Sequence, residues 1–236
     1  MRYKDTGFRA LYHRFACFPI HIAKGIVKDY PGYEEANTLL VYGYIDHEAG
    51  LTLEAIACGV SDTEGARFFD TNNKIKAMVR IGDVMEEEFN LLENEEPLRE
   101  RYQEKLDILS GYDVNEEIEE SRSFAFLDTN RHEMYPDDVS VHIVREGLQP
   151  EICWARIEGL QQPQIIATLL NEPNQDFGYH IGDKIGFSAH ETEENEIILV
   201  CDMTPSKVLC KKDLVFQNLN SISLWQSEWL RAESQK

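Results

Sequence analysis

The chain has 236 residues, 42% of them hydrophobic, and carries 23 basic against 43 acidic side chains, for a net charge of −20. A chain of this length and composition buries a sizeable core. It has no run near the roughly 18 apolar residues of a membrane span, and no apolar signal core follows its N-terminus. The negative charge disfavours general nucleic-acid binding. We therefore expect a cytoplasmic protein that does not bind membranes.

The cysteines are odd in number and widely scattered: Cys17, Cys58, Cys153, Cys201 and Cys210. Such spacing is unsuited to a disulfide framework and is typical of a reducing compartment. We predict that all five are free thiols.

The first predicted strands form a β-hairpin. Residues 39–45 and 51–58 are apolar runs of strand length, and the connection 46–50 ends in glycine. In the second run apolar residues alternate with Thr52 and Glu54, which predicts one buried face. The connection includes Asp, His and Glu, but adjacent loop residues point in different directions. We interpret it as a solvated loop, with a metal site as the alternative.

Residues 83–120 form the clearest helical region of the sequence. Asp83 is predicted to cap an amphipathic helix, Pro97 to lie in the first turn of a second helix, and Gly111 to cap its end. Asp113 is predicted to cap a third helix. The apolar positions at helical spacing are Met85, Phe89 and Leu92 in the first helix, and Leu98, Tyr102 and Leu109, with Lys105 between them, in the second.

The polar sides of these predicted helices are rich in glutamate, including Glu87, Glu95 and Glu117. This concentration predicts the strongest negative potential of the molecule and a docking surface for a basic protein. The alternative is that the glutamates only keep the helices solvated.

From residue 135 onward the pattern changes to short strands bounded by turn residues. The predicted strands span 139–144, 152–157, 165–170, 184–187 and 197–201. Their spacing predicts a small antiparallel sheet or a partly closed barrel. Both faces of the strand around Trp154 are apolar, so we expect this side chain to be buried. A terminal helix is predicted from the spacing of Ile222, Trp225 and Trp229.

The resulting fold class is α+β with two domains. Residues 1–134 form an N-terminal α+β portion that contains the acidic helical region. Residues 135–236 form a β-rich domain with a terminal helix.

The stretch from Cys153 to Phe187 resembles a bacterial family known as domain of unknown function 2314. The resemblance lies in Trp154-Ala155-Arg156-Ile157, in the strand that ends in Asn171-Glu172-Pro173, and in the strand that opens with Gly182-Asp183. It implies a small β-rich module and supplies no activity. Asn-Glu-Pro and Gly-Asp are also turn signals, so these five residues are interpreted as turns, with a ligand or partner surface as the alternative.

Strong catalytic motifs are missing from the sequence. It contains no phosphate-binding glycine loop, no nucleophile elbow, no H-E-x-x-H and no C-x-x-C pair. Asp128 and Asn130 begin like a calcium loop, but position twelve of that loop would be Val139, so we reject a calcium site. No cofactor and no metal are expected.

Weaker constellations could still carry chemistry. His13 and Cys17 would share a face if they were helical, and His180 or His190 could form an acid–base pair with Glu172 or Asp176. Buried thiols and surface histidines are the alternative for all of them.

Our leading hypothesis is a non-catalytic bacterial protein that binds or regulates another protein, as immunity proteins do, with a basic protein as the candidate partner. The rival is a hydrolase or metal-dependent enzyme with a site assembled from distant residues, for which Cys58, Cys153, His180 and Glu172 are the candidates. The sequence leaves the oligomeric state open.

Overall fold

The computed structural model describes residues 1–63, 65–161 and 163–203, and it confirms the mixed α+β class. The chain divides into two compact units. Unit 1 comprises Met1–Asp113 and Glu133–Pro136, and unit 2 comprises Val114–His132 and the chain from Asp137 onward. The sequence places one boundary after residue 134, whereas this division assigns 114–132 to the second unit. In the described ranges no helix has the length and apolar content needed to cross a bilayer.

Unit 1 is built on a six-stranded sheet in the order β4-β3-β2-β1-β6, with β5 paired to β3. All of its pairs are antiparallel. The predicted hairpin is confirmed, because Asp46 at the end of β2 pairs with Gly50 at the start of β3. The strands are β1 (Phe15–Pro19), β2 (Thr38–Asp46), β3 (Gly50–Asp62), β4 (Gly65–Phe68), β5 (Met78–Arg80) and β6 (Asn90–Leu91).

The central hairpin is buried on both faces. On β3, Thr52 and Glu54 are as inaccessible as Leu53, so the expectation of a strand with one solvated face is wrong. One face packs in a cluster that contains Phe18 and Phe89, and the other packs beneath the helical segment. A sheet covered on both sides buries its polar positions too.

Three helices lie in unit 1: α1 (Tyr3–Thr6), α2 (Glu96–Arg101) and α3 (Gln103–Leu109). Pro97 occupies the first turn of α2, as predicted. The predicted cap at Gly111 is wrong, because the chain continues there into a 3₁₀ helix. Among the residues that the structure describes, the 3₁₀ helices are Phe8–Ala10, Ile20–Ala23, Tyr33–Glu35, Ile81–Asp83, Ser110–Tyr112 and Ala125–Asn130.

The helix predicted to begin at Asp83 does not form. The backbone beyond the 3₁₀ helix Ile81–Asp83 instead reaches β1, where Leu91 pairs with Ala16. Phe89 is fully buried, and its ring stacks on Phe18 with centroids 5.1 Å apart. Strand pairing at the sheet edge and burial of one aromatic ring therefore override a weak local helix preference.

Unit 2 is a closed five-stranded barrel in the order β10-β11-β7-β8-β9. Successive strands pair antiparallel, and the closing pair, β11 with β7, is parallel. All five predicted strands are confirmed. Their bounds are β7 (Asp138–Val144), β8 (Glu151–Gln161), β9 (Gln164–Leu169), β10 (Lys184–Glu191) and β11 (Ile197–Asp202).

Helix α4 (Glu116–Ser123) belongs to unit 2. Its cap is Asn115, whose side chain accepts a hydrogen bond from the Ile118 N–H at 2.9 Å, so the predicted capping by Asp113 is wrong. Arg122 anchors the helix, because its guanidinium binds both carboxylate oxygens of Asp137 at 2.9 and 2.7 Å. Both side chains of this pair are almost completely buried.

Glu54 and Lys105 form a buried ion pair between β3 and α3. Lys105 Nζ lies 2.7 Å from Glu54 Oε1, with the two side chains 3% and 1% exposed. The ammonium also donates to the Ile75 carbonyl at 2.8 Å. Burial raises the pKa of Glu54, and the ammonium of Lys105 opposes this shift.

We expect Lys105→Met to lower the free energy of unfolding by about 3–5 kcal/mol near neutral pH, because it leaves a buried carboxylate without its cation. Urea denaturation measures the loss. Combining Glu54→Gln with Lys105→Met should recover much of the lost free energy of unfolding. Lys184→Met, at an exposed position, is the control.

The free energy of unfolding that Lys105→Met loses should become smaller at acidic pH. A carboxyl whose pKa is higher in the folded than in the unfolded chain destabilises the fold as pH rises through the folded pKa. Protonation of Glu54 at low pH removes the uncompensated charge. A difference from wild type that stays constant between about pH 5 and 8 would contradict this account of the ion pair.

Candidate functional site

Strand β8 exposes two large apolar side chains on the outside of the barrel. Ile152 is 62% exposed and Trp154 is 39% exposed, whereas Cys153 between them faces the core. The expectation that Trp154 is buried is therefore wrong. A closed barrel has a single interior, so successive strand residues alternate between the core and the outside.

Asn171 fixes the backbone at Trp154. The Trp154 N–H donates to Asn171 Oδ1 at 2.7 Å, and the Trp154 carbonyl accepts from the Leu170 N–H at 2.8 Å. The ring of His132 meets the indole edge to face, with ring centroids 5.1 Å apart. Trp154 is thus exposed but held in place from two sides.

Glu172 holds the neighbouring turn. Its Oε1 lies 2.6 Å from His180 Nδ1, and its Oε2 accepts the Ile181 N–H at 2.9 Å. The hydrogen bond with His180 lowers the pKa of Glu172, and the same bond raises the pKa of His180. Pro173, the next residue, is buried. Ile181 is left 60% exposed.

Gly182 and Asp183 complete that turn. Gly182 has a φ of +90°, which strongly favours glycine, and its N–H donates to the Leu169 carbonyl at 2.8 Å. Asp183 Oδ2 accepts the His180 N–H at 2.8 Å. The Gly182-Asp183 motif therefore lies in a turn, whereas Asn171 lies in a bend and Glu172 and Pro173 lie in irregular backbone. The role of both motifs in binding stays a prediction.

All five site residues predicted in this region lie in the connection between β9 and β10, where Pro173 is buried and Glu172, Gly182 and Asp183 are exposed. Asn171 holds Trp154 while its neighbour Glu172 holds Ile181, so the two motifs position exposed apolar side chains. We call Ile152, Trp154 and Ile181, together with the loop segments 171–173 and 180–183, the Trp154 surface.

Carboxylates border this surface. Glu151 precedes Ile152 and accepts hydrogen bonds from the backbone and side chain of Gln175, which contribute to lowering its pKa. Asp176 and Asp183 are exposed and, with Glu172, help to raise the pKa of His180. We call Glu151, Glu172, Asp176 and Asp183 the acidic rim.

Glu87, Glu95 and Glu117, the other predicted binding residues, do not share one helical face. Glu87 precedes β6 and lies 3.1 Å from His21, while Glu95 is 10% exposed between Arg14 and Arg99. Glu117 lies on α4 and accepts the Leu160 N–H at 2.8 Å. Each glutamate therefore has a structural contact, and their role in binding a partner stays a prediction.

The His13–Cys17 pair does not share a helical face. Cys17 lies in β1, and His13 has a φ of +54°. Burial raises the pKa of Cys17 to about 11, which disfavours the reactive thiolate. Cys58 is buried with its pKa raised likewise, and Cys153 faces the barrel core with a raised pKa.

Of the four enzyme candidates, His180 and Glu172 are in direct contact, and the charge of Glu172 contributes, after burial, to raising the pKa of Cys153. The predicted free thiols Cys17, Cys58, Cys153 and Cys201 are confirmed, and Cys210 lies outside the described residues. The predicted terminal helix around Trp225 lies outside them as well.

The remaining candidates for metal or acid–base chemistry lie in separate elements of the structure. Asp46 Oδ1 accepts the Ala49 N–H at 3.0 Å, which closes the hairpin loop. Asn130 donates to the Ile197 carbonyl at 2.9 Å from a 3₁₀ helix. Burial lowers the pKa of His190, which pairs across strands with Ile198. Across 1–63, 65–161 and 163–203 no three ligand-type side chains are grouped to hold a metal ion.

Unit 1 contains an open depression of about 550 Å³. It contains none of the four enzyme candidates. Its polar lining includes Arg80, Glu48 and Asp83. The Arg80 guanidinium also donates a hydrogen bond to the Thr52 hydroxyl, so this side chain already has a partner in the sheet.

Comparison with known protein families, with curated proteins and with solved structures finds no match to this chain. The resemblance to domain of unknown function 2314 therefore stays a prediction. The site is interpreted from its own geometry.

Sequence reasoning did not identify Ile152 and Ile181 as surface residues. One signal for the face of β8 is side-chain size, since the small Cys153 and Ala155 alternate with the large Ile152 and Trp154. The narrow interior of a five-stranded barrel favours the smaller side chains, Cys153 and Ala155. For Ile181 there is no comparable pattern.

We expect Glu172→Gln to lower the pKa of His180 towards its ordinary value, because the carboxylate that stabilises the imidazolium is removed. An NMR titration of the imidazole measures the shift. Glu158→Gln, on the same barrel, is the control. An unchanged His180 pKa would show that the Glu172 contact does not persist in solution.

Proposed function

We propose that this chain is a non-catalytic protein-binding protein and that the Trp154 surface contacts its partner. The observation that carries the proposal is the exposure of Ile152, Trp154 and Ile181, with the backbone N–H groups of Trp154 and Ile181 held by side-chain hydrogen bonds. Exposed apolar groups gain free energy when a partner covers them.

The rigid backbone of the Trp154 surface favours a role in binding over incidental exposure of its apolar side chains. Asn171 and Glu172 hold the backbone N–H groups of Trp154 and Ile181, so little backbone freedom is lost on association. Tryptophan is also among the residues that most often dominate binding energy at interfaces. Trp154 is therefore the proposed anchor.

The acidic rim indicates the chemistry of the partner. Glu151 is next to Ile152 in β8, and Glu172 holds the Ile181 N–H, so negative charge lies beside the apolar residues. The complementary surface therefore has an apolar centre bordered by Lys or Arg. Such a complex forms faster at low salt, because charges separated by more than about 8 Å are screened at physiological ionic strength. A regulatory role, such as covering a basic protein as an immunity protein does, is consistent with this surface.

The alternative is a hydrolase in which His180 acts as a general base oriented by Glu172. The contact of 2.6 Å between them is the observation that favours it. Under this alternative, His180→Gln abolishes hydrolysis of ester or phosphoester substrates, and Ile152→Ser leaves it intact. The protein-binding proposal predicts no such activity in either protein.

The binding experiment compares two matched double variants. Ile152→Ser with Ile181→Ser removes apolar groups from the Trp154 surface. Ile26→Ser with Ile108→Ser removes the same groups from exposed positions in unit 1. Partners retained from a lysate of the producing cells are identified, purified, and titrated against each protein by calorimetry.

We expect the first double variant to weaken binding about 30-fold or more, as loss of an interface hot spot does. The control should retain wild-type affinity, and added salt should lower the affinity of all three proteins for the partner. Equal affinity of both double variants for every purified partner would overturn the proposal.

A further inference from the structure

The open depression of unit 1 is bordered by the hairpin loop 46–50, by the 3₁₀ helix Ile81–Asp83 and by residues 134–135. Its volume of about 550 Å³ is within the range of small-molecule sites. The Leu51 N–H donates to the Met134 carbonyl at 2.9 Å, which joins the start of β3 to the opposite wall. The apolar part of the lining is Ala49, Leu51, Ile81, Met134 and Tyr135.

Arg80, the last residue of β5, brings a positive charge to this lining. Its half-buried guanidinium donates to the hydroxyl of Thr52, which is fully buried. That hydroxyl donates in turn to the Gly50 carbonyl at 3.1 Å. A guanidinium has more N–H donors than this one bond uses. Arg80 is therefore held by a buried hydrogen-bonded chain and keeps donors for a ligand.

Arg80 lacks a carboxylate partner within the ranges 1–63, 65–161 and 163–203, although Glu48 and Asp83 line the same depression. A charge that is partly removed from water without a counterion costs free energy, and an anionic group of a ligand would offset this cost. Other arginines of the described residues lie within 3.3 Å of a carboxylate oxygen: Arg14, Arg99, Arg101, Arg122, Arg131 and Arg156.

Glu48 and Asp83 bring negative charge to another part of the lining, and both are exposed. The loop that carries Glu48 is held by Asp46, whose Oδ1 accepts the Glu48 N–H at 3.1 Å. Opposite charges are thus kept apart around one depression. A chain with a net charge of −20 repels a ligand that is only negative, whereas a ligand that also carries a positive charge is attracted by the two carboxylates. The lining therefore fits a zwitterion with an apolar body.

We propose that this depression binds a free α-amino acid with an aliphatic side chain. Its carboxylate binds Arg80, because the guanidinium fork matches the geometry of a carboxylate. Its ammonium binds Glu48 or Asp83, and its side chain packs against the half-buried Met134 and Tyr135. The site lies entirely in unit 1 and does not rest on the proposed function of the Trp154 surface.

Calorimetric titration of the wild-type protein with L-leucine and three analogues tests the proposal. Glycine lacks the aliphatic side chain, isocaproate lacks the ammonium, and isoamylamine lacks the carboxylate. We expect saturable binding of L-leucine, and binding about tenfold or more weaker for each analogue, because each one loses one of the three contacts. These titrations use wild-type protein, so they do not depend on the folding of a variant.

Arg80→Gln separates the role of the guanidinium from a structural role. We expect this variant to bind L-leucine about tenfold or more weakly and to bind isoamylamine as the wild type does, because isoamylamine has no carboxylate to lose a contact. A general loosening of the depression would weaken both ligands. Arg67→Gln, at an exposed position of β4 in the same sheet, is the control. The urea midpoint verifies that each variant is folded.

The carboxylates are tested by Glu48→Gln combined with Asp83→Asn. We expect this variant to weaken L-leucine about tenfold or more and to leave isocaproate no weaker, because isocaproate has no ammonium. Asp29→Asn combined with Glu34→Gln, at exposed positions outside the lining, is the matched control.

The proposal is overturned if L-leucine does not bind saturably, or if isocaproate or isoamylamine binds as tightly as L-leucine. It is also overturned if Arg80→Gln or the double carboxylate variant retains wild-type affinity for L-leucine. These failures are distinct from failure of the proposed function, which is measured by the affinity of a protein partner for the Trp154 surface.

Discussion

The closure of a five-stranded meander is the constraint on which unit 2 depends. Strands joined in sequence by hairpins alternate in direction, so the first and fifth point the same way and can close only as a parallel pair. β11 and β7 meet in this manner. Closure leaves one interior with no free sheet edge between the strands. Every second residue must then face outward, including Trp154.

This outward alternation places large apolar side chains outside a barrel that is already packed. Asn171 accepts the Trp154 N–H, and Glu172 accepts the N–H of Ile181 in the connection between β9 and β10. Polar and acidic side chains of this connection therefore position exposed apolar residues. The negative charge of the chain is thus not a uniform solvating coat. Glu54, Glu95 and Glu172 are each committed to a specific cation or imidazole.

The sequence by itself determined most of the local structure. Alternating apolar runs with turn residues located the hairpin and all five barrel strands, because strand periodicity is visible within a few residues. Pro97 marked the start of α2 through its missing N–H and fixed φ. Gly182-Asp183 is interpreted as a turn for equally local reasons, and the structure forms a turn at 180–183. Asn171 lies in a bend that binds the Trp154 backbone.

Tertiary structure decided what these elements face. The segment after Asp83 joined a sheet edge because Phe89 gains more from burial than the local sequence gains from a helix. Glu54 became a core residue because Lys105, about fifty positions away, supplies its cation. Trp154 lies outside because barrel closure, which couples strands distant in sequence, selects one face of β8 as the interior. Local patterns contain no information about partners of this kind, so only the folded chain determines them.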